Sequence, residues 1–206
     1  KNNLFIALKG KNKNGNDFIY SAQKKGVSLC IGNKKIKQKK YIHVNNSFKF
    51  LEKFASLKRL TFSAKIVAIT GSAGKTTLKF MLGKILKCYG KSYFPPKSFN
   101  NNIGVPLSLS NLEHDHKFGV FEIGMNKPGE IETLTKWLQP DISIITEIGL
   151  AHVKNFSSIN DIANEKSYII RNLTKDKTSI LDIDNTWYEY LINQTKSNIL
   201  SVSLIN

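Results

Sequence analysis

Cysteine and arginine are nearly missing from this 206-residue chain, and acidic residues are scarce. The two cysteines, Cys30 and Cys88, exclude a disulfide scaffold and a four-cysteine zinc site. Each reads as a small buried apolar residue. Apolar runs are short, as in Ile66-Val67-Ala68-Ile69, so no membrane span is expected. No signal-peptide pattern opens the text, and the expected location is the cytoplasm. Arg59 and Arg171 are the only arginines, so 29 of the 31 basic residues are lysines. Nucleic-acid readers lean on arginine forks, which weakens the reading that a formal charge of +16 invites. No nucleic-acid partner is expected, and a monomer is.

What is present is a globular composition, 41% hydrophobic and 22% charged, with enough length for a real core. The charge is unevenly placed. Residues 1–65 hold 16 basic and 2 acidic residues, a net of +14, whereas residues 66–206 hold 15 and 13, a net of +2. This step predicts a boundary between a domain of residues 1–62 and one of residues 63–206. Lysine, asparagine and isoleucine are all abundant, which points to coding bias as much as to function. The chain starts at Lys1 and reaches strand-like text by Leu4, and it reads as a piece of a longer protein.

In the first part, strands are expected at Leu4–Leu8 and Val27–Ile31, with a short helix over Phe18–Gly26. Lys34–Lys40 reads as a charged loop or hairpin, and Phe48–Leu60 as an amphipathic helix. From Lys65 the text alternates. Short apolar strands are expected at Ile66–Thr70, Gly119–Ile123, Ile142–Thr146 and Ser179–Ile183, a pattern that buried parallel strands share. Between them, Leu78, Met81, Leu82, Ile85, Leu86 and Tyr89 recur at helical spacing up to Gly90. Glu130 and Glu132 favour a helix start after Pro128, and Ser157 or Ser158 can cap a helix running to about Arg171. The fold class is therefore α/β: a parallel-sheet domain preceded by a smaller α/β domain.

The strongest motif is Thr70-Gly71-Ser72-Ala73-Gly74-Lys75-Thr76-Thr77, between a strand and a helix. Small residues let backbone N–H groups close around phosphate oxygens, and the helix N-terminus adds positive potential. Lys75 is placed to reach the β- and γ-phosphates, and the Thr76 hydroxyl to ligate Mg2+. The general phosphate-loop pattern has glycine where Ile69 stands, so this loop is a shortened variant starting at Gly71. The competing reading is a small-residue turn with a chance Gly-Lys-Thr. ATP with Mg2+ is the expected ligand pair.

Four further segments narrow the reaction: Asn100-Asn101-Asn102-Ile103-Gly104-Val105-Pro106, Phe121-Glu122-Ile123-Gly124-Met125-Asn126-Lys127-Pro128-Gly129-Glu130-Ile131, Thr146-Glu147-Ile148-Gly149-Leu150-Ala151-His152, and Ile162-Ala163-Asn164-Glu165-Lys166. In a parallel sheet the carboxyl ends of strands share one rim, so Glu122, His152 and the loop are expected to converge. Taken singly, Glu122 could be a cap or salt-bridge partner, His152 a structural histidine, and Lys166 one more solvated lysine. Trp137 and Phe156 read as packing residues.

Together these segments resemble the Mur ligases, the ATP-dependent amide-forming enzymes of peptidoglycan synthesis. Within that family they look most like the branch that joins D-alanyl-D-alanine to UDP-N-acetylmuramoyl-tripeptide. The resemblance implies that residues 63–206 are a central ATPase domain and residues 1–62 a uridine-nucleotide domain. It also implies that a C-terminal domain is absent, so the 206 residues alone are expected to be inactive. ATP is expected to phosphorylate the peptide carboxylate, and the dipeptide amine then to attack the acyl phosphate. The same resemblance makes Thr76 and Glu122 ligands of one Mg2+, and His152 and a carbamylated Lys166 supports of a second. Asn101, Asn102 and Lys9 would face the UDP-linked substrate. This chain departs from the family where it has Glu147 for asparagine, Tyr168 for an acidic residue, and Leu181-Asp182-Ile183-Asp184 for the more usual L-N-x-D. Another amide ligase of the superfamily, a nucleic-acid-stimulated ATPase and a non-catalytic remnant are the alternatives.

Overall fold

The computed structural model describes residues 3–149 and 155–203. They form two compact units, Lys1–Phe54 and Ala55–Asn206. In the first unit, β1 (Leu4–Ile6), β2 (Leu29–Gly32) and β3 (Tyr41–His43) make a parallel sheet in that order. A short 3-10 turn (Gly15–Phe18) leads into α1 (Ile19–Lys24). Ala7, Ile19, Ala22 and Cys30 form the small core of this unit. The Lys34–Lys40 stretch is a loop rather than a hairpin, because β3, which follows it, runs parallel to β2.

Helix α2 (Ser47–Thr61) contains the point where the chain divides, between Phe54 and Ala55, earlier than the boundary after residue 62 read from the charge. The reason lies in its last turns. Lys58 Nζ donates to the Ser110 and Leu112 oxygens at 2.6 and 2.7 Å. Arg59 Nε donates to the Leu138 oxygen at 2.7 Å, and Arg59 Nη2 to the Gln139 oxygen at 2.8 Å. The cationic end of α2 is thus bonded to the second unit although its composition matches the first.

In the second unit the elements alternate: β4 (Lys65–Thr70), α3 (Lys75–Leu86), β5 (Ser92–Tyr93), α4 (Gly104–Leu109), β6 (Phe118–Glu122), α5 (Glu130–Leu138), β7 (Ile142–Ile145), α6 (Ile159–Arg171), β8 (Thr178–Asp182), α7 (Tyr188–Ile192) and β9 (Asn198–Val202). The six strands pair in the order β5-β6-β4-β7-β8-β9, all parallel. One face carries the main core, which includes Ile66, Ala68, Phe121, Ile131, Leu134, Ile162 and Ile169. On the other face, Leu78, Leu82 and Leu86 of α3 pack against Val67, Ile69, Val120 and Ile144. Phe156 is buried in the main core and Trp137 packs on it, as expected.

Two expectations about α3 need correction. Met81, Ile85 and Tyr89 are exposed, at 55%, 53% and 71%, although they fit the helical spacing. Lys79 and Gly83 are the helix's buried residues. A Cβ on Gly83 would lie 2.2 Å from the Phe94 ring, so α3 comes close to Phe94 on that side, next to the Leu78, Leu82 and Leu86 row that packs on the sheet. This side carries a lysine and a glycine, and an apolar pattern cannot find it. Cys88, just past the helix, is exposed rather than buried.

The strands are anchored at the edge opposite the phosphate loop. Asp141, 9% exposed, accepts from Ile66 N at 2.9 Å and Lys177 Nζ at 2.7 Å, and pairs with Arg59 at 3.4 Å. Burial pushes the Asp141 carboxyl up, but the Lys177 and Ile66 hydrogen bonds and the nearby lysine charges more than offset this and hold it below the usual carboxylate range. Its contribution to stability is therefore complete above about pH 4 and lost as pH falls through the depressed native value. Asp141→Ala should cost about 2–4 kcal/mol in urea unfolding at pH 7, and the difference from the parent should shrink on acidification below about pH 3.5.

Candidate active site

The rim of the sheet gathers the chemistry because adjacent parallel strands end in register. Ile69 pairs with Glu122 across β4–β6, and Thr70 with Ile145 across β4–β7. The phosphate loop leaves β4, Glu122 ends β6, and Thr146 follows β7, so three neighbouring strand ends meet there.

The loop is shaped by glycine where glycine alone fits. Gly71 has φ +151°, and a Cβ there would sit 1.9 Å from Thr146 Oγ1. Gly74, at φ +79°, takes the N-cap position of α3 with no side chain over the first-turn N–H groups. Ser72 N donates to the Glu147 oxygen at 2.7 Å, and Ser72 Oγ accepts from Gly149 N at 2.9 Å. Thr146 Oγ1 donates to the Ala73 oxygen at 2.6 Å. Ser72 and Ala73 are thereby held by the β7 end, while Thr77 sits exposed in the first turn of α3. This cradle of N–H groups at a helix start suits phosphate.

Lys75 Nζ donates to the Gly71 oxygen at 2.6 Å. Burial lowers its pKa and Glu122 opposes the shift. Thr76 Oγ1 donates to Glu122 Oε2 at 2.6 Å and lies 3.1 Å from Ser98 Oγ. Glu122 is fully buried, and its Oε1 has no hydrogen-bond partner. An orphaned carboxylate oxygen beside a threonine hydroxyl at the mouth of a phosphate cradle fits a hard divalent cation, which binds oxygen donors.

Lys166 is 2% exposed on α6. Burial first, and the nearby Lys75 charge second, push its ammonium down to about 7 against the pull of Glu165. Lys166 is therefore within electrostatic reach of Lys75. Its neighbour Glu165 points elsewhere: its carboxylate accepts from Gly129 N at 2.8 Å and Ile131 N at 2.9 Å, capping α5 from another helix. Ser158 caps α6 by accepting from Asp161 N at 3.1 Å.

Other expected site residues have different positions. Asn101 Oδ1 accepts from Ile103 N and Gly104 N at 3.1 and 2.8 Å, so it builds the start of α4. Asn102 is exposed in the same loop. Lys9 lies exposed in the first unit, bridged to Asn14. His152 lies outside the described residues. Tyr168 stacks under Arg171 with the guanidinium 4.4 Å from its ring. The reading of the sequence missed Lys79 and Ser98. Lys79 sits one helical turn after Thr76, which could have marked it.

Parallel strands, a glycine cradle and an adjoining carboxylate define a phosphate-loop nucleotide-binding α/β domain. Residues 69–205 match the Mur ligase middle domain, and the chain belongs to that family. It is 39% identical over 201 residues to the UDP-N-acetylmuramoyl-tripeptide–D-alanyl-D-alanine ligase of Rickettsia prowazekii, covering 96% of this chain and 44% of that protein. The crystal structure of MurF ligase from Thermotoga maritima in complex with ADP superimposes with a TM-score of 0.85 at 29% identity, over 100% of this chain and 48% of the other. A bifunctional folylpolyglutamate synthase/dihydrofolate synthase with Mn, AMPPNP and L-glutamate bound shares the fold alone, at 14% identity, a TM-score of 0.53 and coverage of 75% and 47%. The chain spans less than half the length of the curated relative it matches.

Gly71→Ala tests the cradle. The new methyl must displace Thr146, so ADP affinity should fall at least about tenfold by calorimetry while the far-ultraviolet spectrum stays native.

Proposed function

We propose that this chain is the nucleotide-binding part of an ATP-dependent amide ligase that joins D-alanyl-D-alanine to UDP-N-acetylmuramoyl-tripeptide. The observation that carries the reading is the Thr76–Glu122 pair at the phosphate cradle, with the buried Oε1 left over. The names of the relatives supply the substrates, and the reaction class follows from the family. Such chemistry uses ATP and belongs in the cytoplasm. Among the described residues, no helix is long and apolar enough to cross a membrane.

The residues divide the work as follows. The N–H groups from Ala73 to Thr76, at the start of α3, hold the β-phosphate. Lys75 leaves the Gly71 oxygen for the γ-phosphate and offsets the repulsion between it and an incoming substrate carboxylate. Thr76 and Glu122 would hold a Mg2+, with His152 and carbamylated Lys166 bracing a second; these cations neutralise phosphate charge. The substrate carboxylate oxygen attacks the γ-phosphorus and ADP leaves. The dipeptide amine then attacks the acyl carbon, and phosphate leaves as the amide forms. Asn102 and Lys9 are assigned to the UDP-linked substrate, and Asn101 to the shape of the loop that presents Asn102.

The charge distribution disfavours a nucleic-acid-stimulated ATPase, since residues 66–206 carry a net of only +2. The test is phosphate release by the natural full-length protein. UDP-N-acetylmuramoyl-tripeptide with D-alanyl-D-alanine should support turnover, and omitting the dipeptide should abolish it. Release that depends on folate and glutamate instead would overturn the reading. Lys75→Ala should lower kcat/KM by about a thousandfold, the scale of losing a charged donor to the transition state. Carbamylation needs a neutral amine, and the Lys166 amine becomes mostly neutral above about pH 7. Labelled CO2 should therefore give a carbamate carbon-13 signal at pH 8 that fades at pH 6 and is absent from Lys166→Arg.

A further inference from the structure

The Lys79 side chain has no exposed surface, and the reaction above does not use it. Its Nζ lies 3.8 Å from Glu122 Oε2 and donates to the Lys97 main-chain oxygen at 2.9 Å. The same ammonium sits 4.4 Å from the centroid of the Phe80 ring. A lysine is rarely buried unless paired, and burial here lowers its pKa while Glu122 opposes the shift. A purely structural cation could have been replaced by a leucine with better packing.

The partners of Lys79 all belong to one neighbourhood. Ser98, next to the bonded Lys97 oxygen, meets Thr76 Oγ1 at 3.1 Å. Asn100 accepts from Gly124 N at 2.8 Å, just past Glu122. The segment from Lys97 to Asn100 is thus tied to α3 by Lys79 and Ser98, and to the end of β6 by Asn100. Glu122 is held on Oε2 by Thr76 and faced by Lys79, which leaves Oε1 as the oxygen without a hydrogen-bond partner.

We propose that Lys79 is a positioning residue of the nucleotide–metal site, fixing the orientation of the Glu122 carboxylate and locking the Lys97–Asn100 segment against it. The proposal rests on the metal-binding reading of Thr76 and Glu122. Lys79 touches neither nucleotide nor metal and acts through Glu122. Without its charge, the fully buried carboxylate loses its ion-pair partner, keeps only the more distant Lys75 field, and turns away from the metal position.

The test uses the natural full-length protein, ADP and Mn2+, with Lys79→Met and Lys79→Arg. Mn2+ binding is followed by electron paramagnetic resonance with ADP present, and ADP binding by calorimetry in EDTA. Lys79→Met should bind ADP in EDTA within about twofold of the parent, yet bind Mn2+ at least about tenfold more weakly. Lys79→Arg should recover most of that loss. The Gly124 N–H should exchange faster in Lys79→Met, because its acceptor segment is released. Mn2+ binding as tight as the parent's, or tighter, would mean that Lys79 only balances charge and would overturn the proposal. Should Lys79→Met not fold, Lys79→Gln, which keeps a donor but no charge, is read in the same way. A parent protein whose ADP affinity ignores Mn2+ overturns the metal reading first, and this inference with it. That outcome is visible without any variant.

Discussion

A carboxylate with no access to water is the constraint around which this site is arranged. Glu122 ends β6 at 0% exposure, where ionisation is costly unless hydrogen bonds and a nearby cation offset it. One oxygen takes the Thr76 hydroxyl at 2.6 Å and faces Lys79 at 3.8 Å. Both partners lie on α3, one turn apart, so the helix that follows the phosphate loop also holds the carboxylate. The β4–β6 register puts Glu122 beside Ile69, just before that loop. Loop, helix start and carboxylate are therefore one assembly, set by strand pairing, and not three residues that happen to lie close.

The same assembly explains how so cationic a chain can carry so neutral a domain. The excess positive charge lies before residue 66, on exposed lysines such as Lys34 and Lys35. At the rim, three partly or wholly buried lysines, Lys75, Lys79 and Lys166, meet one uncapped carboxylate. Glu165 adds a second negative charge that Lys166 feels, but its two oxygens are bonded to the α5 N-terminus and the cations remain in excess. A site with that surplus of desolvated cations suits phosphates and a substrate carboxylate. It also accounts for the depressed pKa of Lys166, since burial and a like charge both disfavour its protonated form.

Most of the second unit was legible because parallel strands buried on both faces are written as short apolar runs. The four expected strands agree with β4, β6, β7 and β8 to within a residue at each end. Ser158 announced α6 through ordinary cap chemistry. The elements that escaped are those whose burial is partial or whose text is polar. β5 is two residues long, β9 is an exposed edge with Asn198 and Ser201 in it, and α4 hides behind three asparagines and Pro106. α3 is the most instructive case. Its apolar spacing was real, but one row, Met81 and Ile85, faces solvent while Lys79 and Gly83 face the protein. Periodicity ranks residues by hydropathy, and it fails where a helix turns its buried side toward a charged site.

Family resemblance assigned roles, whereas geometry separates neighbours that resemblance groups together. Asn101 and Asn102 stand side by side, yet the first closes the turn into α4 and the second is free to face a ligand. Glu165 and Lys166 are likewise adjacent. One helical step of roughly 100° sends the carboxylate to α5 and the amine toward the phosphate loop. The split has a physical consequence. By bonding the α5 N-terminus, Glu165 ties α6 to α5, alongside the buried Ile162, Ile169 and Ile170 that dock the same helix on the core. Burial and the Lys75 charge lower the Lys166 pKa while the Glu165 charge opposes them, so the residue that docks α6 on α5 also moderates its neighbour's shift.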